Sequence, residues 1–145
     1  MKALIQRVKN ASVTIDGESY SEIGSGMLIL LGVEKTDELE NAEKLADKLV
    51  NFRVFDDEDG KMNKSLIDVK GEILVVSQFT LMADCKKGTR PSFDKAAPAQ
   101  KAKSLYEDFV KIISQYGLTV KTGVFQAMME VSLVNDGPVT FWVEK

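Results

Sequence analysis

Ser77, Gln78 and Thr80 place two hydroxyls and a carboxamide directly after Ile73–Val76, a wholly apolar stretch. A hydroxyl in such a place could serve covalent catalysis only if something activated it. A hydroxyl nucleophile needs a base, and the chain of 145 residues contains no histidine. Every Ser-His and Cys-His pair is therefore excluded, along with almost every catalytic zinc site. Two readings stay open for Ser77–Leu81. Either a strand emerges from the core with its polar end at the edge, or that end frames a site with hydroxyls and backbone N–H groups turned to a ligand. Asn135-Asp136-Gly137-Pro138 is the second unusual segment, and its residue types alone describe a hairpin turn between two strands.

Other candidate motifs are weaker. Gly24-Ser25-Gly26 precedes an apolar run but lacks the third glycine and the Gly-Lys-Ser/Thr of a phosphate loop, which leaves a simple turn. Asp56-Asp57-Glu58-Asp59-Gly60 lacks the ligand spacing and closing glutamate of a calcium loop. Cys85 is the only cysteine, so it forms no internal disulfide and no thiolate cluster; beside Lys86 and Lys87, without a histidine partner, it reads as an incidental loop residue. From Cys85 to Lys103, six cations (Lys86, Lys87, Arg90, Lys95, Lys101 and Lys103) face the single carboxylate of Asp94, although the whole chain carries −3. The window is either a solvated loop and helix face or a local phosphate-contacting patch on an acidic body. The overall charge argues against a protein that coats nucleic acid nonspecifically.

These segments need elements to position them. Ala3–Val8 and Ala11–Ile15 are read as strands, with Asp16-Gly17 as a turn; Gly26–Val33 is a strand buried on both faces. A helix begins near Asp37, which stands at capping-box spacing from Glu40, and carries the stripe Leu39, Ala42, Leu45, Ala46, Leu49 and Val50. A short strand, Phe52–Phe55, precedes the acidic turn, and Gly71–Leu81 is the strongest strand. A loop over Met82–Ala97 leads to Pro98, placed for a first helical turn. The second helix shows Ala102, Leu105, Tyr106, Phe109, Ile112, Ile113 and Tyr116 and closes at Gly117. Strands follow over Leu118–Phe125, Met128–Val134 and Val139–Val143. The expected fold is α+β, one domain over residues 1–145, with a mostly antiparallel sheet or barrel-like core and two main helices. With 44% hydrophobic and 28% charged residues, the chain can bury a core without a metal or cofactor. Its longest apolar run, Met27–Leu31, is far short of a membrane span, so a soluble cytoplasmic protein is expected.

Taken together, Ser77-Gln78-Phe79-Thr80-Leu81 and Asn135-Asp136-Gly137-Pro138-Val139-Thr140 resemble the paired signatures of D-aminoacyl-tRNA deacylases. Leu4–Val8, Leu31–Glu34, Gly88–Phe93 and Phe141-Trp142 extend the resemblance along the chain. It implies a hydrolase of the ester in tRNA charged with a D-amino acid or with glycine, acting as a homodimer with the site at the subunit interface and binding neither membrane nor DNA. It implies that Ser77, Gln78, Phe79 and Thr80 form the catalytic segment. Backbone N–H groups near Gln78 and Phe79 would hold the oxyanion, the substrate's 2'-hydroxyl would assist water, and Thr80 would position rather than attack. It further implies a cis Gly137-Pro138 bond that reaches into the other subunit's pocket as a rigid wall against L side chains. Phe125 and Met129 match positions lining an adenosine pocket, and Lys86, Lys87 and Arg90 would meet tRNA phosphates. The alternatives are a noncatalytic dimeric RNA- or ligand-binding module of the same fold and a small-molecule esterase that needs no tRNA.

Overall fold

Asp16 and Gly17 both take positive φ, 51° and 81°, which is the backbone a tight hairpin requires. Around that turn the computed structural model, which describes residues 1–145, places β1 (Lys2–Ile15) and β2 (Glu18–Ile23). There follow β3 (Gly26–Gly32), α1 (Leu39–Val50), β4 (Phe55–Asp56), β5 (Met62–Lys64), α2 (Leu66–Val69), β6 (Glu72–Ser77), a 3-10 turn (Phe79–Met82), α3 (Ala99–Ser114), β7 (Val120–Thr122) and β8 (Glu130–Glu144). The expected pair of early strands is one long strand, and the two expected last strands are likewise one, broken in register rather than by a turn.

Strand order is β2-β1-β3-β6-β7, with β8 also on β1. β1 runs antiparallel to β2, β3 and β8, whereas β3, β6 and β7 run parallel. The sheet is therefore mixed: three of its five pairings are antiparallel, as expected for most of it, and the two made by β6 are parallel. The reason is connectivity: β3-α1-β6-α3-β7 alternates strand and helix, and crossover helices force their strands parallel. The two ends of the strand order come together where Ser21 Oγ donates to the Thr122 carbonyl at 2.8 Å, giving the barrel-like curl.

Each face of the sheet buries its own cluster. Ile29, Leu31, Ile73 and Val75 pack under Leu45 and Leu49 of α1 and Phe109 and Ile113 of α3. Alternate residues Leu28, Leu74 and Val76 pack with Val8, Ala11, Val13 and Ile23 on the other face. The continuous apolar runs of β3 and β6 follow from this two-sided burial. Two helical details depart from expectation. The cap of α1 is Glu38, in a box with Asn41, because Asp37 is buried and accepts from the Met1 ammonium and the Glu34 N–H, each at 2.6 Å. Leu39 lies outside the buried stripe at 48% exposure.

Candidate active site

Three parallel strands leave the sheet at one edge, and an α/β sheet offers its natural crevice at the carboxyl ends of such strands. There Leu31 and Val33 (after β3), Val76–Phe79 (ending β6) and Phe125–Met129 (after β7) surround a cleft of about 700 Å³, closed by Val131 and by Ala97, Ala99 and Ala102 at the start of α3. No lining residue is ionisable; Ser77, Gln78 and Gln126 supply all of its polar side chains. The structure thus brings Ser77, Gln78, Phe79, Phe125 and Met129 together, and Thr80 joins them through its hydroxyl, which accepts from Gln78 Nε2 at 2.5 Å.

Backbone geometry sets this edge. The Gln78 N–H donates to the Leu31 carbonyl at 2.8 Å, continuing the β3–β6 ladder one residue past the strand. It is therefore committed, and of the two N–H groups expected at an oxyanion only that of Phe79 is left. The 3-10 turn that follows bonds Leu81 N–H to Gln78 and Ala83 N–H to Thr80. Its opening N–H groups, Phe79 and Thr80, have no partner inside the turn, as at every helical N-terminus. Gly32 makes the seating possible: a Cβ there would stand 2.5 Å from Met82 Cε and 3.1 Å from the Gln78 carbonyl oxygen. Phe79 remains 57% exposed, with its ring against Phe93 at 5.0 Å between centroids.

The opposite wall hangs from β7. The Met129 thioether folds over Gly123 and accepts from the Val124 N–H at 3.4 Å. Behind it Tyr106 of α3 packs on Phe125, centroids 6.0 Å apart, and donates its hydroxyl to the Val75 carbonyl at 2.9 Å. Burial of that phenol pushes its pKa up to about 12. Gln126 holds φ at 64°, which costs a non-glycine residue about 1–2 kcal/mol.

Asn135–Pro138 lies elsewhere. It belongs to β8 and forms a register break against Val8 rather than a hairpin turn. Asn135 Oδ1 accepts from the Val139 N–H at 2.8 Å and spans the break. Gly137-Pro138 is cis, and both residues are exposed. The segment is pinned by Arg7, which is buried to 8% exposure: Nε donates to the Asp136 carbonyl at 3.0 Å, and Nη1 donates to the Val54 carbonyl at 2.8 Å and to Asp56 Oδ1 at 3.0 Å. In register, Asn135 faces Val8, Val8 faces Gly26, and Gly26 faces Glu72. Ser77 stands five residues farther along β6, roughly 16 Å at about 3.3 Å per residue. Within one chain the two signature segments therefore occupy opposite ends of the sheet.

Lys86, Lys87 and Arg90 are exposed on a loop closed by the Asp84–Ser92 bridge and do not line the cleft. Lys86 instead edges a separate recess with Lys2, Cys85 and Lys95. No three Cys, Asp or Glu side chains gather as metal ligands, and no helix is long and apolar enough to cross a membrane. Sequence reasoning missed Gln126–Met128 and the alanines of α3; the strand-helix alternation that predicts a crevice at strand ends was the signal for them.

The family model for D-Tyr-tRNA(Tyr) deacylase matches residues 4–144. A D-aminoacyl-tRNA deacylase of Thermosipho africanus is 56% identical over 144 residues, covering 99% of this chain and 97% of its own. One of Geotalea daltonii is 58% identical, covering 99% and 96%. The solved structure titled c-Myc DNA Unwinding Element Binding Protein superposes with a TM-score of 0.94 at 44% identity, over 100% of this chain and 99% of that one. A probable eukaryotic D-amino acid tRNA deacylase shares the fold, with a TM-score of 0.87 at 15% identity over 99% and 98%.

Proposed function

The chain belongs to the D-Tyr-tRNA(Tyr) deacylase family, and from that premise we propose that it hydrolyses the ester linking a D-amino acid, or glycine, to the terminal adenosine of tRNA. The observation that carries this reading is a cleft without a single ionisable side chain, beside two unpartnered N–H groups. Such a site suits an activated ester and a substrate that brings its own hydroxyl. Water attacks the ester carbonyl while the substrate's 2'-hydroxyl assists its deprotonation. The Phe79 and Thr80 N–H groups hold the oxyanion, each donor worth about 10²–10³ in rate. The acyl C–O bond then breaks, and the 3'-oxygen leaves as a hydroxyl, giving free amino acid and tRNA. Thr80, fixed by Gln78, orients the ester or the α-amino group. Phe125 and Met129 take the adenosine, and Lys86, Lys87 and Arg90 meet backbone phosphates.

Chirality is assigned to the Gly137-Pro138 segment of a second copy. The outer edge of β8 has no strand partner, and Val134, Phe141 and Trp142 on that strand are 48%, 36% and 46% exposed. A homodimer covers that edge and brings the exposed segment, remote from its own cleft, to the partner's. Rejection of L side chains by backbone admits many D side chains, because discrimination then comes from repulsion rather than pocket fit. The name of the 44%-identical structure speaks of DNA for that protein; the −3 charge here argues against tight nonspecific binding of either nucleic acid.

Incubation with D-tyrosyl-tRNA, L-tyrosyl-tRNA, glycyl-tRNA and a free D-tyrosine ester tests the reading. Loss of the D- and glycyl-charged tRNAs alone is expected. Binding without turnover would mark a noncatalytic module, and cleavage of the free ester at the same efficiency would mark a simple esterase.

A further inference from the structure

Only Asp16, Lys70 and Gln126 hold positive φ among residues other than glycine. Asp16 opens the β1–β2 turn and Lys70 is the left-handed cap of α2, both routine places for such backbone. Gln126 is at neither. It stands third in the turn Val124–Ala127, closed by the Ala127 N–H on the Val124 carbonyl at 3.2 Å, where glycine or asparagine is preferred. Its exposed side chain lines the cleft between Phe125 and Met129. The cleft's other carboxamide, Gln78, already donates to Thr80, whereas that of Gln126 is open to a ligand. Strained backbone that persists beside a pocket points to a side chain with work there.

We propose that Gln126 reads the terminal base of the substrate, its amide donating to adenine N7 and its carbonyl accepting from the N6 amino group. This rests on placing the adenosine against Phe125 and Met129. A carboxamide matches adenine in this two-bond manner, and a base laid on an aromatic side chain presents that edge outward. Phe125 and Met129 then supply affinity for any purine, and Gln126 supplies the preference among them.

The test uses D-tyrosyl-tRNA ending in adenosine, 7-deazaadenosine or purine riboside, which lack neither group, N7 and the N6 amine respectively. Single-turnover kcat/KM for the wild type is expected to fall about 5-fold or more on each altered end, the two bonds together supplying about 5- to 150-fold. Gln126→Gly keeps the backbone the turn prefers, so it folds with an unchanged or higher Tm, and it hydrolyses all three ends alike at the lower rate. Wild-type enzyme indifferent to the base, or Gln126→Gly that still discriminates, overturns the proposal. Phe125→Leu separates this from the reading beneath it. A raised KM on all three ends with an indifferent wild type leaves the adenosine wall standing and removes only Gln126. An unchanged KM removes the base from this wall, and both readings with it.

Discussion

At the Ser77 end of β6 the groups offered to a substrate are backbone N–H groups and apolar walls, positioned by strand ends, a 3-10 turn and the missing Cβ of Gly32. At the Glu72 end, across β3 and β1, a guanidinium is buried to hold one exposed loop of β8. The first region spreads its geometry over several backbone hydrogen bonds, so truncating any one side chain removes only part of it. The second concentrates it in Arg7. The cleft end should therefore tolerate loss of side chains better than the end that carries the exposed Gly137-Pro138 segment, an asymmetry that substitutions can break or sharpen.

Arg7→Ala should have the largest effect on folding. It leaves the Val54 and Asp136 carbonyls without their donor, while the ion pair to Asp56, itself 49% exposed, adds little. A loss of about 2–4 kcal/mol in urea unfolding is expected. A loss below about 1 kcal/mol would show that the loop is held by other means. Gly137→Ala comes next. Gly137 holds φ at 134°, and a Cβ would stand 2.7 Å from Val139 Cγ2 and 3.1 Å from the Val139 nitrogen. The strain is about 1–3 kcal/mol, and hydrolysis of D-tyrosyl-tRNA should drop more than tenfold, since the segment is proposed to enter the partner's cleft. Wild-type rates on both D- and L-tyrosyl-tRNA would remove it from the site.

The fold behind this contrast is legible in the sequence only in part, and the reasons differ by element. Gly26–Val33 and Ile73–Val76 announced themselves because burial on both faces leaves no polar alternation to blur them. Their parallel pairing is equally present in the strand-helix-strand order, whereas the short flanking strands and turn residues point to antiparallel neighbours. Asp37 looked like a cap and is not one, because its partner is the Met1 ammonium, 36 positions away in sequence. No local pattern encodes such a contact. Asn135–Pro138 has a turn's composition and serves a register break, since Asn135 bonding to Val139 makes locally the same shape a turn would. Phe125 and Met129 stand out by resemblance alone; Gln126 between them carries no signal in the sequence, because what distinguishes it is a backbone angle.

Thr80→Ala sharpens the cleft side of the comparison. With no ionisable group lining the cleft to deprotonate it, the role proposed for the hydroxyl is positioning, held by its bond from Gln78. Single-turnover deacylation should stay within about two orders of magnitude of wild type. A loss of about 10⁴ or more in folded protein, or a trapped acyl-protein, would make Thr80 a nucleophile and overturn the substrate-assisted mechanism.

Tyr106→Phe should have the smallest effect, and its pH dependence tests whether the cleft wall is positioned by a buried hydroxyl. Tyr106 donates to Val75, two residues before Ser77, so the bond ties α3 to the strand that ends at the site. Removing it costs about 0.5–1.5 kcal/mol at neutral pH. Burial raises the phenol from the ordinary 10.0 to about 12 in the folded state. The unfolded chain therefore releases this proton first as pH rises. The stability it contributes is complete below pH 10 and is lost progressively between about pH 10 and 12, by up to about 2 kcal/mol on a scale of 1.36 kcal/mol per pKa unit. Lysine and tyrosine side chains in general ionise in this range, so the informative quantity is the wild-type stability minus that of Tyr106→Phe. That difference should be positive and flat to pH 10, then shrink and change sign as the pH approaches 12. Deacylation at pH 7 should change by less than about threefold, because Tyr106 stands behind Phe125 and outside the cleft lining. A flat difference up to pH 12 would mean that the phenol is wet in the folded protein. A large loss of activity at pH 7 would mean that the backbone frame of the cleft end depends on one side chain after all, as the Arg7 end does.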